Sequence, residues 1–459
     1  MDGKKCHIAM FPWFALGHLT PYIHLANMLA KKGHKVSFLV PKHTQSKLKP
    51  FNLHQNLISF IPVTVPHVDG LPLRAETTSD VPSSLHPLIM TAMDETEKDV
   101  ECILQHLMVD VVFFDLAHWI PGVCRRIRAK SVNYCVITPV TVGYVFSPAR
   151  QIHWEKGISE SELMRPPIGF PLPSIKFHAH EVREFTERSN MKFGGNMAFL
   201  ERGYIGLIEA DALAFNASRE LEGPFSDYLQ SQFNKPVFLS GPMVNDPPNS
   251  TLSENLSNWL DSFDTNSVIY CAFGSECALT KDQIQELLLG FELSKMPFLA
   301  VLKSPTNVKS VNDAIPEGLL ERVEGRGLVC GEWVQQNLIL KHKSIGCFVT
   351  HCGWASLSEA LVNECQLVLL PNGGDQIIHA RIMSEVYKVG IEVHKGEEDG
   401  VFTSNDVFDA VKKVMDENCE VGKLVKQNHV KIRAFLLNND VKCSYIDSFS
   451  QEIQHFVDS

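Results

Sequence analysis

The chain has little that would suit it to a nucleic acid or a bilayer. No Lys/Arg-rich run occurs, and 42 basic against 53 acidic residues leave a formal charge of -11. Nothing here offers the basic footprint that a nucleic-acid partner needs. The uncharged stretch 131–149 contains Asn133, Thr138, Pro139, Gly143 and Pro148, so it reads as strand plus loop and no integral membrane segment is expected. The 12 cysteines show no paired metal-ligand spacing, and Cys271 and Cys347 fall inside apolar strand patterns. Reduced, packed thiols are expected, with no metal site. The opening MDGKKCHIAMF has an apolar run too short for a secretory leader, so a cytoplasmic setting is expected. No Gly-x-Gly-x-x-Gly follows the first strand pattern, which argues against a dinucleotide-dependent dehydrogenase.

What the chain does have is 44% hydrophobic residues over 459 positions, enough for two or three ordinary domains. Its densest polar and aromatic stretch is 333–376, WVQQNLILKHKSIGCFVTHCGWASLSEALVNECQLVLLPNGGDQ. Residues 346–350 read as a buried parallel strand, followed by His351, Cys352, Gly353 and Trp354 and then a helical pattern. A strand passing to a helix through a small-residue turn aims free backbone N–H groups at an anion such as a diphosphate. A second strand, 367–370, leads to a loop carrying Asp375 and Gln376 at the same carboxyl edge, where ligands of open α/β sheets bind. A net negative chain does not attract a diphosphate at long range, so its site must be local and built from dipoles.

This stretch resembles the signature box of the plant family 1 UDP-sugar-dependent glycosyltransferases in its length, opening Trp, HCGW core, Glu and closing Asp-Gln. The resemblance implies an α/β chain of the GT-B fold, two doubly wound Rossmann-like domains facing a cleft. It implies that Trp333 stacks on uracil, with Val334 beside it, and that Gln336 and Glu359 hold the ribose. His351, Gly353 and Ser356 would hold the diphosphate, and Trp354, Asp375 and Gln376 the sugar. Each has a chemical reason: an indole face suits a pyrimidine, a carboxylate accepts from ribose hydroxyls, and His, Ser and N–H groups donate to phosphate. Ala355 departs from the pattern, since the family usually carries Asn there as a phosphate contact. A small residue at that point resembles the branch that adds sugar to sugar. No Asp-x-Asp is present, so no metal or other cofactor is expected beyond the UDP-sugar co-substrate.

In the first half, 7–11 reads as a strand and Gly17-His18-Leu19-Thr20-Pro21 as the approach to a helix, with Thr20 as N-cap and Pro21 at the first helical position. His18 then stands in the loop above the strand. A lone histidine in a turn is usually structural, but the family's general base is the His of a Gly-His pair in this loop, and imidazole titrates near neutral pH. The buried run 111–114 ends in Asp115, which the resemblance makes the partner of His18; capping of the next segment is the plainer alternative. His118 competes for either role and ranks below His18. Residues 85–107 read as one helix, and 138–147 as a loop near the acceptor. Trp154, Phe170, Phe177, Phe185 and Phe193 could line an acceptor pocket, but core packing is the ordinary fate of such residues.

Pro- and Asn-rich residues 242–260 read as a linker, after which 269–273 restarts the strand–loop–helix rhythm. Ser275 resembles the family's phosphate-contacting serine and is otherwise a turn residue. The expected domains are 1–241 for the acceptor, 261–437 for UDP-sugar, and a final helix at 438–459 that returns to the first domain by resemblance. The favoured reading is an inverting transferase that extends a flavonoid or similar small-molecule glycoside, monomeric, with His18 as base. A transferase acting on an aglycone and a catalytically silent UDP-sugar binder are the other two readings.

Overall fold

The computed structural model describes residues 5–153, 156–195, 197–242, 251–274, 277–305, 308–332 and 334–459. Two compact units divide the chain. The first comprises Met1–Lys176, Phe185–Met243 and Asn439–Ser459, the second Phe177–Glu184 and Val244–Asn438.

In the first unit, strands β1 (His7–Phe11), β2 (Lys35–Pro41), β3 (Ile58–Val63), β4 (Val111–Phe114), β5 (Lys130–Cys135), β6 (Ala212–Phe215) and β7 (Val237–Leu239) form one sheet. Its order is β3-β2-β1-β4-β5-β6-β7, and every pairing is parallel. Helices cover both faces, so strands such as the fully buried Val111–Phe114 read as unbroken apolar runs rather than alternating ones. The strand order reverses between β1 and β4. The loops leaving those two strands therefore diverge at the carboxyl edge and leave a crevice there.

The second unit repeats the plan with β8 (Val268–Ala272), β9 (Phe298–Val301), β10 (Gly327–Cys330), β11 (Ile345–Thr350), β12 (Gln366–Leu369) and β13 (Gly390–Glu392). The order β10-β9-β8-β11-β12-β13, again parallel throughout, places its switch between β8 and β11. The segment Phe177–Glu184, early in the sequence, packs in this unit. Glu181 takes both of its oxygens to Arg381 Nη2, at 2.9 and 3.1 Å, and Arg381 also pairs with Glu392. This excursion has no counterpart in the expected division at 241 and 260.

The final helix, Asn439–Asp458, belongs to the first unit, where Ile446, Phe449 and Ile453 join the core beneath β1, β4 and β7. Ser450 Oγ lies 2.7 Å from His34 Nε2, and His34 Nδ1 accepts from the Cys6 N–H at 3.1 Å. Phe170, Phe177 and Phe185 are buried, and Phe193 packs on the first unit's core. Trp154 lies outside the described residues. Every one of the 12 cysteines is a free thiol.

Three local expectations are corrected. The helix after β1 begins at Leu16 with Ala15 as N-cap, so His18 sits in its first turn and Pro21 lies inside it. Residues 85–107 form two helices, His86–Asp94 and Glu97–Leu107, parted where the Thr96 hydroxyl donates to the Met93 carbonyl. Residues 139–146 are a buried helix, not a loop; Thr138 accepts from the Thr141 N–H as N-cap and Pro139 fills the first helical position. Among the described residues no helix is long and apolar enough to cross a membrane.

Candidate active site

At the first sheet's switch point, β1 supplies the loop Pro12–Ala15 and β4 supplies Asp115 directly at its end. The Asp115 carboxylate, 5% exposed, organises this loop. Its Oδ1 accepts from the backbone N–H groups of Trp13 at 2.8 Å and Leu116 at 2.6 Å. Its Oδ2 meets His18 Nδ1 at 2.7 Å. Asn133 on β5 fixes the same residue from behind, its amide donating to the Asp115 carbonyl at 3.0 Å. This explains the early helix start. With Trp13 tied to Asp115, the Ala15 carbonyl accepts from the N–H groups of both His18 and Leu19, at 2.9 Å each, so no Thr20 cap is needed.

A carboxylate oxygen can only accept, so His18 Nδ1 carries the proton and Nε2 presents its lone pair. The side chain is a quarter exposed. An oriented imidazole whose Nε2 has no hydrogen-bond partner among the described residues, with a buried carboxylate behind it, is the arrangement of a general base. His118, the competing histidine, is engaged elsewhere. Its Nδ1 accepts from Arg202 Nη1 at 2.8 Å, and burial together with that guanidinium lowers its pKa.

In the second unit, β11 runs into His351, Cys352 and Gly353, then the helix Trp354–Leu361. Cys352 adopts φ 67° while fully buried, a left-handed turn that costs a side-chain-bearing residue about 1–2 kcal/mol. The reversal brings the helix start over the sheet edge. Gly353 has no side chain to cap it, so the N–H groups of Trp354, Ala355 and Ser356 have no partner within the helix and are available to an anion.

Two glycines enclose the His351 ring. A Cβ at Gly353 would stand 2.5 Å from His351 Nε2, and one at Gly274, after β8, 3.0 Å from Cε1. Burial lowers the His351 pKa to about 4, with the charge of Asp375 and the Ala272 carbonyl only partly offsetting it. Nδ1 is enclosed without a hydrogen bond of good geometry. The free protein therefore holds this imidazole neutral, ready to gain from a nearby negative group.

Gln336, at the start of the helix Gln336–Leu340, gathers the neighbouring polar groups. Its Nε2 donates to Glu359 Oε2 at 2.8 Å and Ser356 Oγ at 3.1 Å, and its N–H to the half-buried Val334 carbonyl at 3.0 Å. Burial raises the Glu359 pKa, and the bond from Gln336 works against that rise.

After β12, Asp375 and Gln376 open the helix Asp375–Arg381. Gln376 Oε1 accepts from the Asn372 N–H at 3.0 Å, closing the loop and leaving the amide NH₂ for a ligand. Trp354 packs on His379 at 5.4 Å, and His379 Nδ1 bonds the Cys352 carbonyl at 3.1 Å. Ala355 is exposed in the helix's first turn. Trp333 and Ser275 lie outside the described residues.

The structure thus brings His18 to Asp115, Gln336 to Ser356 and Glu359, and Trp354 to the helix that carries Asp375 and Gln376. Sequence reasoning missed four supporting groups: Trp13 N–H, Asn133, Tyr270, whose hydroxyl reaches Gln336 Oε1 at 3.5 Å, and His379. Only His379, four residues past Asp375 on one helix face, had a spacing that could have been read. Among the described residues no group of His, Cys, Asp and Glu could hold a metal ion.

Residues 225–435 match the family model described as UDP-glucoronosyl and UDP-glucosyl transferase. A cyanidin 3-O-galactoside 2''-O-xylosyltransferase of Actinidia chinensis var. chinensis is 60% identical over 454 residues, 99% of each chain. An anthocyanidin 3-O-glucoside 2''-O-glucosyltransferase of Ipomoea nil is 57% identical, covering 98% of this chain and 97% of its own. Among solved structures, a Polygonum tinctorium UDP-glucosyltransferase superposes with a TM-score of 0.79 at 22% identity, over 99% of both chains. A UDP-glucose:anthocyanidin 3-O-glucosyltransferase in complex with UDP gives 0.76 at 22%, over 98% and 99%. Two Rossmann-like sheets with these likenesses are the GT-B fold, and the near full-length identities settle the rest: the chain belongs to the UDP-dependent glycosyltransferase family and is a UDP-glycosyltransferase that resembles the plant sugar-on-sugar group.

Proposed function

We propose that this enzyme moves a sugar from a UDP-sugar to the 2''-hydroxyl of a flavonoid 3-O-glycoside, with inversion at the anomeric carbon. The observation that carries the chemistry is the 2.7 Å bond between His18 Nδ1 and Asp115 Oδ2, which leaves Nε2 as proton acceptor. The acceptor class is supported by the relatives' 2''-O-xylosyl and 2''-O-glucosyl names. Those names also favour UDP-xylose or UDP-glucose as donor.

In this reading the acceptor hydroxyl gives its proton to His18 Nε2 as its oxygen attacks the anomeric carbon. The bond from that carbon to the diphosphate oxygen breaks on the opposite face, and UDP leaves with the electron pair. Asp115 stabilises the imidazolium as it forms and keeps the ring in the productive tautomer. Charge developing on the diphosphate falls to preorganised donors: the N–H groups at Trp354–Ser356, the Ser356 hydroxyl and His351, whose pKa the bound anion raises. Gln336 and Glu359 take the ribose hydroxyls, Trp333 and Val334 border the uracil, and Trp354, Asp375 and Gln376 hold the sugar. Ser275 adds a phosphate contact. None of these roles calls on a metal.

An acceptor panel tests the reading. A 3-O-glycoside and its aglycone are offered in parallel with UDP-glucose, UDP-xylose and UDP-rhamnose, and products are read by mass and linkage. A product from the glycoside alone, joined sugar to sugar at the 2'' position, is expected. A product joined to the aglycone would replace this proposal with the aglycone reading.

A further inference from the structure

His118 lies three residues after Asp115, on the loop that leaves β4, and the proposed base chemistry makes no use of it. Its surroundings are unusually complete on one side and open on the other. Arg202, 1% exposed, spends all of its guanidinium N–H groups within the protein. Nε donates to the Phe193 carbonyl at 3.1 Å; Nη1 to Asp94 Oδ1 and to His118 Nδ1, both at 2.8 Å; Nη2 to Asp94 Oδ2 at 2.7 Å and the Gly194 carbonyl at 3.3 Å. Trp119 Nε1 adds a bond to Asp94 at 3.2 Å.

The consequence is a fixed tautomer. Arginine cannot accept, so His118 Nδ1 must be the acceptor and Nε2 must carry the hydrogen. Among the described residues that Nε2–H has no hydrogen-bond partner, and the side chain is 23% exposed. A buried, fully satisfied arginine held by a carboxylate is an expensive way to orient a surface imidazole if its outer nitrogen has nothing to meet.

The location points to the acceptor. Asp115 ties the Trp13 backbone to the base, the Trp13 ring contacts Phe193 at 6.0 Å, and the Phe193 carbonyl bonds Arg202. A short chain of contacts in the first unit, running through the buried Trp13 and through Phe193, therefore joins His18 to His118. A lone N–H donor joined in this way to the proposed base suits an oxygen of the acceptor's own sugar.

We propose that His118 is a specificity residue that donates from Nε2–H to a sugar oxygen of the glycoside acceptor, and so favours glycosides over aglycones. This rests on the function proposed above. His118 and His18 thus divide the work: one imidazole, set by arginine, donates to hold the acceptor sugar, and the other, set by aspartate, accepts the proton.

Two substitutions separate contact from support. In His118→Asn the side-chain oxygen can still accept from Arg202 but the outer donor is gone. In His118→Gln the amide reaches the outer donor position and the Arg202 contact is lost. The assay is steady-state transfer to a flavonoid 3-O-glucoside, with KM for the UDP-sugar, kcat and Tm read on the same preparations. His118→Asn is expected to raise KM for the glycoside about tenfold, the scale of one lost hydrogen bond, with KM for the donor and Tm unchanged. His118→Gln is expected to stay within about threefold in KM for the glycoside while losing Tm. A wild-type KM for the glycoside in His118→Asn, or a greater loss in His118→Gln than in His118→Asn, would overturn the assignment. Wild-type enzyme that transfers to the aglycone and not to the glycoside would overturn the proposed function itself, and this inference with it.

Discussion

Asp115→Asn isolates the role of the carboxylate without dismantling the loop it holds. Asp115 Oδ1 accepts from two backbone N–H groups, Trp13 at 2.8 Å and Leu116 at 2.6 Å, and both need an oxygen. The asparagine oxygen therefore takes that side, and its NH₂ turns to His18 Nδ1 in place of Oδ2. A donor there makes Nδ1 the acceptor and moves the ring proton to Nε2, so the nitrogen meant to take the hydroxyl proton already carries one. The fold is kept, because both N–H groups remain paired, and the UDP contacts proposed above lie in the other unit.

The expected outcome is a fall in kcat of about 10²–10⁴, the usual worth of a general base, with UDP affinity and Tm near wild type. Asp115→Ala serves as the contrast. It strands two buried N–H groups at about 1–3 kcal/mol each and is expected to lower Tm as well as rate. Steady-state turnover, calorimetric UDP titration and thermal melts decide the matter. If Asp115→Asn turned over within threefold of wild type, the tautomer argument would be refuted.

Ala355→Asn should tighten UDP about fivefold, since the exposed first-turn position can add one donor to a phosphate; an unchanged Kd means the contact is already supplied. Gly353→Ala, whose Cβ would stand 2.5 Å from His351 Nε2, should displace that ring and weaken UDP by about tenfold or more, and wild-type affinity would show that His351 does not touch the diphosphate. His34 is fully buried with its pKa lowered to about 4 by burial, against 6.5 for a free imidazole. The folded state binds fewer protons than the unfolded one between those values, so stability is full above pH 6.5 and falls toward pH 4, by up to about 3 kcal/mol. His34→Asn should flatten the fall of Tm across that window, and an equal fall in both proteins would exclude His34 as its source.

Much of this architecture is legible in the residues. Buried parallel strands such as Val111–Phe114 declare themselves as short apolar runs, and the small-residue turn after β11 marks the uncapped start of the helix Trp354–Leu361. The strands that stay hidden are edge strands. β3 carries Pro62 and is buried only at its two ends, and β13 has three residues, so neither shows a full apolar run. The helix 139–146, PVTVGYVF, is rich in β-branched residues and buried on all sides, so periodicity is silent and only Thr138-Pro139 marks it.

In the site, the family resemblance pointed to His18 and Asp115, but the bond between these two residues, 97 apart in sequence, depends on β1 and β4 being neighbours. The Thr20-Pro21 signal pointed to the wrong helix start because the cap is replaced by a long-range tie from Asp115 to Trp13. The Asp94–Arg202–His118 cluster could not be read at all, since its members come from three separate elements.

The most direct test of the account is His18→Ala, with transfer rate and UDP affinity measured on one preparation. A histidine in the first unit that acts only as base predicts a loss of about 10²–10⁴ in rate at saturating donor and acceptor, with UDP binding as tight as in wild type. Near-normal turnover by His18→Ala would contradict it and move the proton acceptor to another group or to water.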